Sequence, residues 1–203
     1  EVRERLRSVL VADSKKVSDA GGEYVLVHFP FFPTANLPLD ALQDRIKRGI
    51  DIIHGVAAKS DLPLVVEFKL GRNLDTGGLR YVIEMADELL DALVGIGCCL
   101  DVGDWSLASL RLSDAKKVFD QWMERATHLH LHGVAVLEDN RYYWTPVTPD
   151  VKLPGEGWDL AAIVTDCAER AGRWAVCEHT PYFADDERAI AEGYRWLRQL
   201  LSG

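Results

Sequence analysis

Two patterns of hydrophobic and polar positions alternate along this chain. Apolar steps of three and four residues predict amphipathic helices, and short continuous apolar runs predict buried strands. Helices are expected over 1–20, 39–58, 79–93, 113–124, 158–171 and 185–201. Strands are expected over 24–28, 62–68, 95–101, 127–132 and 174–178. Their strict alternation predicts an α/β protein with a parallel sheet and helices outside it.

Most of the predicted strands end in a side chain that is costly to bury. Glu67, Asp101 and Glu178 end three of them, and His28 ends the first. A carboxylate in an apolar run must meet a cation, a proton or hydrogen bonds. Barrels of the TIM (β/α)8 type place catalytic groups at these strand ends. A doubly wound nucleotide binder would show a Gly-rich phosphate loop, which the sequence lacks, so the pattern favours a barrel.

Three histidines occupy alternate positions of the fourth predicted strand, at His128, His130 and His132. A period of two places all three on one face of the strand. One alternative is a set of core histidines whose hydrogen bonds are satisfied, and the other is metal or acid–base chemistry. Three imidazoles in register favour the chemistry. For Asp101 and Asp104, the alternative is an Asx turn that they merely organise.

Composition limits the partners and the compartment. The formal net charge is -9 and the sequence pI is about 5.1, so no basic stretch is available to follow a phosphate backbone, and we expect no nucleic-acid partner. No apolar run reaches the roughly 20 residues of a membrane span, and we expect no membrane association and a cytoplasmic location. The four cysteines contain no C-x-x-C pair and are expected to be reduced core thiols that a metal site does not need.

Four short motifs, V-V-E-F, C-L-D-V-G-D, H-L-H-L-H-G and V-C-E-H, occur in this order. Together they resemble the xylose isomerase-like TIM barrel superfamily, which includes sugar phosphate isomerases and epimerases and the apurinic endonuclease family 2. The resemblance covers essentially the whole chain. It implies metal ligands at Glu67, Asp101, His130 and Glu178, and it matches His28 to a histidine that ends an earlier barrel strand.

The chain departs from the family pattern at several positions. His130 is preferred to His132 as the ligand because the family's strand carries it as the first His of H-L-x-D, although Gly133 stands here where the family has Asp. Asp104 replaces the His of L-D-x-G-H, and the endonuclease branch's later D-x-H pair has no match. A three-metal centre therefore lacks ligands. The expected cofactor is one divalent ion, with Mn²⁺, Mg²⁺, Co²⁺ and Zn²⁺ all left open.

The alignment with the family also begins late. The first predicted strand corresponds to the family's fourth, so residues 1–203 are expected to be a single xylose isomerase-like barrel domain that lacks the first strands at its N-terminus. Five strands do not close an eight-stranded barrel. A homo-oligomer or an upstream segment is expected to cover the sheet edges.

The expected function is divalent-metal-dependent isomerisation or epimerisation of a small sugar, sugar acid or polyol, by proton transfer next to a carbonyl. Glu67 and Glu178 are the expected catalytic pair. The set of expected supporting or substrate-contacting residues comprises His28, Asp104, His132 and Trp105. Four aromatic residues are candidates for an apolar wall, although packing under a loop is the favoured alternative for each: Phe31, Phe32, Trp105 and Trp144. Alternatives are a metal-dependent phosphodiesterase of the endonuclease-like or cobamide-cleaving branch, and a catalytically decayed barrel.

Overall fold

The computed structural model describes residues 2–29, 38–71, 76–139, 141–170, 174–180 and 186–202. The strands are β1 (Val25–His28), β2 (Leu64–Glu67), β3 (Gly97–Asp101), β4 (Ala126–Leu131), β5 (Gly133–Val136), β6 (Tyr142–Thr145) and β7 (Trp174–Cys177). The helices are α1 (Val2–Asp19), α2 (Leu39–Ala57), α3 (Gly77–Glu84), α4 (Ala86–Ala92), α5 (Val102–Ser109), α6 (Ala115–Met123), α7 (Leu160–Ala168) and α8 (Glu187–Leu201).

Five strands form one parallel sheet in the order β1-β2-β3-β4-β7, and β5 pairs with β6 in a separate antiparallel hairpin. The parallel sheet is strongly curved. Tyr24, just before β1, has its ring centroid 5.8 Å from that of Trp174, at the start of β7. The imidazole of His128 lies 4.2 Å from Tyr24 and 6.3 Å from Trp174. Side chains from the two outer strands therefore meet across the concave face of the sheet.

The main hydrophobic core lies between the outer face of the sheet and the helices. Helix α2 contributes Ile46, Ile53 and Val56 at helical spacing, and all three are buried. Phe68, after β2, packs edge-on against Trp122 of α6 with ring centroids 5.2 Å apart. Burying such side chains contributes about 1.5–3 kcal/mol each, which is the main term that fixes the helices on the sheet. The opposite, concave face is left for polar side chains.

The observed elements confirm the predicted alternation and differ from it in three places. The helix predicted over 79–93 is broken at Met85, which separates α3 from α4. Helix α5 follows β3 directly and was not predicted. The stretch 133–157, for which no helix or strand was predicted, contains the β5–β6 hairpin. Within the described residues, no helix is long and apolar enough to span a bilayer.

Candidate metal and catalytic site

Strand register brings the predicted site residues together at the carboxyl ends of the strands. His28 is paired with Glu67 across β1 and β2, and Asp101 is paired with His130 across β3 and β4. Glu178 follows β7, and its backbone N–H donates to the carbonyl of Leu131. Residues that are far apart in the sequence thus share one rim because all five strands are parallel.

His130 contacts the two carboxylates that were predicted to be catalytic. Its Nδ1 lies 3.3 Å from Oε1 of Glu67 and 3.3 Å from Oε2 of Glu178. Glu67 is fully buried, whereas the side chain of Glu178 is 37% exposed. His28 adds a contact of 3.2 Å from its Nε2 to Oε2 of Glu67, with its own side chain largely exposed. Glu178 is therefore the carboxylate that an incoming ligand reaches first.

Lys69 is a site residue that was not among those expected from the sequence. Its Nζ lies 2.9 Å from Glu67 Oε1, 2.8 Å from Asp101 Oδ2 and 3.3 Å from Asp104 Oδ2. The same ammonium lies 4.3 Å from the ring centroid of Trp144, a cation–π distance. The signal for it was present in the sequence, because Glu67 and Lys69 are alternate residues at the end of a buried run.

His132 and Asp104 support Asp101 from two sides. His132 Nε2 lies 2.7 Å from Asp101 Oδ1, and His132 Nδ1 lies 2.9 Å from the carbonyl oxygen of Gly133. The backbone N–H of Asp104 donates to Asp101 Oδ1 at 2.8 Å, so Asp101 is also the N-cap of α5. The capping role that was the alternative for Asp101 is present, and it is combined with a place in the site.

The charges in this cluster depend on one another. Burial by itself raises the pKa of Glu67, but contacts with His130 and His28 and the charge of Lys69 lower it to about 2. Burial and the charge of Asp101 raise the pKa of Asp104 to about 7. For Asp101, burial is outweighed by His132 and Lys69, which hold its pKa well below the ordinary value. Contact with His130 lowers the pKa of Glu178. Glu67, Asp101 and Glu178 are therefore carboxylates at neutral pH.

The residues present fit a divalent ion. Several buried atoms lack a hydrogen-bond partner of acceptable geometry among the described residues, namely both carboxylate oxygens of Glu67, Nδ1 of His130 and Oε2 of Glu178. Their contacts are ion pairs of 2.9–3.3 Å with Lys69, His28 and His130. A bound ion would give these buried groups the direct ligand that they otherwise lack. Carboxylate oxygens and an imidazole nitrogen are the donors that Mn²⁺, Mg²⁺, Co²⁺ and Zn²⁺ accept.

The described part of the chain contains three groups of potential metal ligands. Within each group, one donor atom per residue lies within 4.8 Å of the others. One holds Asp101, His130 and Glu178, which are three of the four predicted ligands. The fourth, Glu67, is grouped instead with Cys99 and His130, and the third group holds Asp101, Asp104 and His132. The predicted set is thus gathered around His130, with Lys69 between Glu67 and Asp101.

The predicted apolar wall is only partly formed by the residues expected. Trp144 is half-buried and lies 5.2 Å from the imidazole of His132 between ring centroids, so it borders the site. Trp105 is fully buried and packs against Phe119 with centroids 6.0 Å apart, which gives it a packing role in the core and no free surface for a substrate. Phe31 and Phe32 lie outside the described residues.

No family model and no curated protein matches the chain in sequence. Solved structures do match it in fold. A xylose isomerase-like TIM barrel protein from Mycobacterium smegmatis, in complex with magnesium, is 14% identical with a TM-score of 0.56, over 98% of this chain and 67% of that one. The 3-keto-D-glucoside 4-epimerase of E. coli, in its apo form, is 15% identical with a TM-score of 0.58, over 97% of this chain and 70% of that one. A D-tagatose 3-epimerase-like protein is 13% identical with a TM-score of 0.60, over 100% of this chain and 72% of that one.

These likenesses confirm the predicted fold class. The chain has the xylose isomerase-like TIM barrel fold, and its parallel five-stranded sheet forms a partial barrel. Its structural neighbours include a sugar epimerase and a D-tagatose 3-epimerase-like protein. At these identities the likeness establishes the fold, and the chemistry has to be argued from the site itself.

Proposed function

We propose that the protein is a divalent-metal-dependent isomerase or epimerase that acts on a small sugar, sugar acid or polyol by proton transfer next to a carbonyl. The observation that carries this proposal is the convergence of Glu67 and Glu178 on His130 Nδ1, each at 3.3 Å, from strands on different sides of β4. The fold shared with sugar epimerases supports the same class of substrate.

In this proposal, Glu67, Asp101, His130 and Glu178 hold the ion. When bound, the ion supplies Lewis-acid polarisation of a carbonyl and its neighbouring hydroxyl. Lys69 directs its three N–H donors to Glu67, Asp101 and Asp104, so it holds these carboxylates in position beside Trp144. His132 keeps Asp101 ionised and fixed in position through the 2.7 Å contact.

The two glutamates have different roles in the proton transfer. Glu178 is half-exposed and ionised, so it is placed to accept the proton from the substrate carbon. Glu67 is fully buried and has a pKa of about 2, so it stays a carboxylate in the absence of substrate. Glu67 could return a proton at the opposite face of the substrate only if the positive charge around it fell, so that its pKa rose. Glu178 could return the proton that it accepted without such a change.

The test is proton exchange in D₂O with Mn²⁺ and a panel of ketoses, sugar acids and inositols. We expect deuterium at the carbon next to the carbonyl. In Glu178→Gln, exchange per bound metal ion should fall by at least about 100-fold, the lower range for loss of a general base. Asp101→Asn is the matched control, since it should lower metal occupancy, measured by elemental analysis, without removing the base. Full occupancy in both variants would contradict the ligand assignment.

A second candidate function is hydrolysis of a phosphodiester. The observation that favours it is the group of Asp101, Asp104 and His132, whose donor atoms lie within 4.8 Å beside the first set and could hold a second ion. Cleavage of a phosphodiester by the protein, with no exchange on any member of the sugar panel, would replace the isomerase proposal with this one.

A further inference from the structure

Cys99 was expected to be a reduced core thiol, and it is buried next to the site residues. It is directly paired with Glu67 across β2 and β3 and is separated from Asp101 by one residue on β3. Alternate residues of a strand share a face, so Cys99 and Asp101 face the same concave side. Its thiol is free and fully buried.

The neighbouring residue Cys98 has a different environment. It is buried within the hydrophobic cluster between the sheet and the helices, and its backbone N–H donates to Thr127 Oγ1. Cys99 is buried outside that cluster, among ionisable groups. The two adjacent thiols therefore differ in surroundings while sharing the same strand, which makes Cys98 a matched control.

Cys99 Sγ, a carboxylate oxygen of Glu67 and a ring nitrogen of His130 all lie within 4.8 Å of one another. Metal–ligand bonds of about 2.0–2.3 Å place neighbouring ligand atoms of one ion roughly 3–4 Å apart, so these three atoms need only a small rearrangement to share an ion. The hydrogen bonding of Glu67 and His130 also points to a ligand. Both oxygens of the fully buried Glu67 and Nδ1 of His130 lack a hydrogen-bond partner of acceptable geometry within the described ranges.

We propose that Cys99 is a thiolate ligand of the bound ion, together with Glu67 and His130, and that it makes the site select zinc or cobalt over magnesium. This inference rests on the proposed function, because it concerns the ion that the proposal places there. Sulfur is a poor ligand for Mg²⁺ and a good one for Zn²⁺ and Co²⁺. On binding, the S–H bond breaks, a sulfur–metal bond forms, and the proton passes to solvent.

The test uses Co²⁺ added to protein that has been freed of metal with a chelator. Wild type should show a thiolate-to-cobalt charge-transfer band in the near ultraviolet, Cys98→Ser should keep it, and Cys99→Ser should lose it. Zn²⁺ affinity, measured by competition with a chromogenic chelator, should fall roughly tenfold or more in Cys99→Ser. Mg²⁺ affinity should change by less than about twofold in the same variant.

Two results would overturn the assignment. If cobalt binds the wild-type protein without the charge-transfer band, no thiolate is a ligand of the ion. This measurement does not depend on the folding of a variant. A band that persists in Cys99→Ser places the sulfur elsewhere. If D₂O exchange on the sugar panel continues in either case, the proposed function stands and only the ligand assignment fails. If no divalent ion binds wild type, both fail together.

Discussion

Lys69 carries the one ammonium that the structure places among the buried carboxylates of the described site. It lies within 3.3 Å of Glu67, Asp101 and Asp104, and the attraction of these groups outweighs burial and raises its pKa above the ordinary value. A divalent ion held by Glu67 and Asp101 would share these oxygens with the ammonium. The protein thus supplies its own counter-ion, which would compete with a divalent ion for these oxygens.

We expect Lys69→Met to destabilise the metal-free protein and to strengthen metal binding. Removing one partner of a buried ion pair leaves charge uncompensated, which costs about 3 kcal/mol in the free energy of unfolding. Chemical denaturation with and without a chelator measures this, and saturating Mn²⁺ should restore much of the loss. Lys15→Met, which removes an exposed pair with Asp19, is the control and should change stability by less than about 1 kcal/mol. Unchanged stability and metal affinity in Lys69→Met would contradict the competition.

His128 should make the protein sensitive to acid. Burial and the charge of His130 lower its pKa from 6.5 to about 4. Below pH 6.5 the unfolded chain binds a proton at this position, whereas the folded protein binds it only near pH 4. The free energy of unfolding is therefore highest above pH 6.5 and falls as the pH is lowered towards 4. The loss is on the order of 2–3 kcal/mol. In His128→Phe, the slope of the unfolding free energy against pH between 6.5 and 4 should be shallower. An unchanged slope would show that groups other than His128 cause the sensitivity to acid.

Single residues were predictable to different degrees. The position at the strand ends could be predicted because an ionisable side chain that ends an apolar run is visible in the sequence, and this holds for Glu67, Asp101, Glu178 and His130. The alternation of Glu67 and Lys69 was visible in the sequence. The contacts of Lys69 with Asp101 and Asp104, and the place of Cys99 in the cluster, depend on strand register and on the course of the chain after β2, which residue types do not specify. Trp105 was expected at the site, but its place on α5 directs it into the core.

At the scale of elements, α5 and β4 fit together through Gly103. A Cβ at this position would overlap the His132 imidazole, so only glycine leaves room for the contact between His132 and Asp101. Helix α5 was not predicted because its residues are almost all buried and show no amphipathic period. The β5–β6 hairpin escaped prediction because its strands are only four residues long and show no alternation of apolar and polar residues. The helices with one apolar stripe, such as α2 and α6, could be predicted because that stripe is regular.

Gly103→Ala should displace His132 and loosen Asp101. Overpacking at a buried site costs about 1–3 kcal/mol in the free energy of unfolding, and the lost contact should also lower metal occupancy. In a His132→Ala background, the same Gly103→Ala change should cost less than about 0.5 kcal/mol, because the overlapping ring is gone. Chemical denaturation of the four proteins forms a double-mutant cycle. Equal costs in the two backgrounds would show that the overlap is not with His132.

At the scale of the whole molecule, the partial barrel leaves two strands with one neighbour each. Among the described residues, β1 pairs with β2 and β7 pairs with β4, and no other strand of the parallel sheet lies beside them. Unpaired backbone groups on an edge strand are a template for pairing with another chain. The parallel alternation was predictable from the sequence, whereas the contact of Tyr24 with Trp174 across the concave face follows from a curvature that hydrophobic periodicity does not encode.

We expect the 203-residue chain by itself to associate through these edges and to be less stable than a closed barrel. In β1, the N–H groups of Val25 and Phe29 are bonded towards β2, so by alternation the N–H of Leu26 faces the open edge. Leu26→Pro should therefore reduce association in light scattering while keeping the β1–β2 ladder. Val27→Pro is the matched control, since it removes an N–H directed at β2 and should destabilise the fold. A wild-type chain that remains monomeric and unfolds in one cooperative transition would show that the edges are protected without a partner.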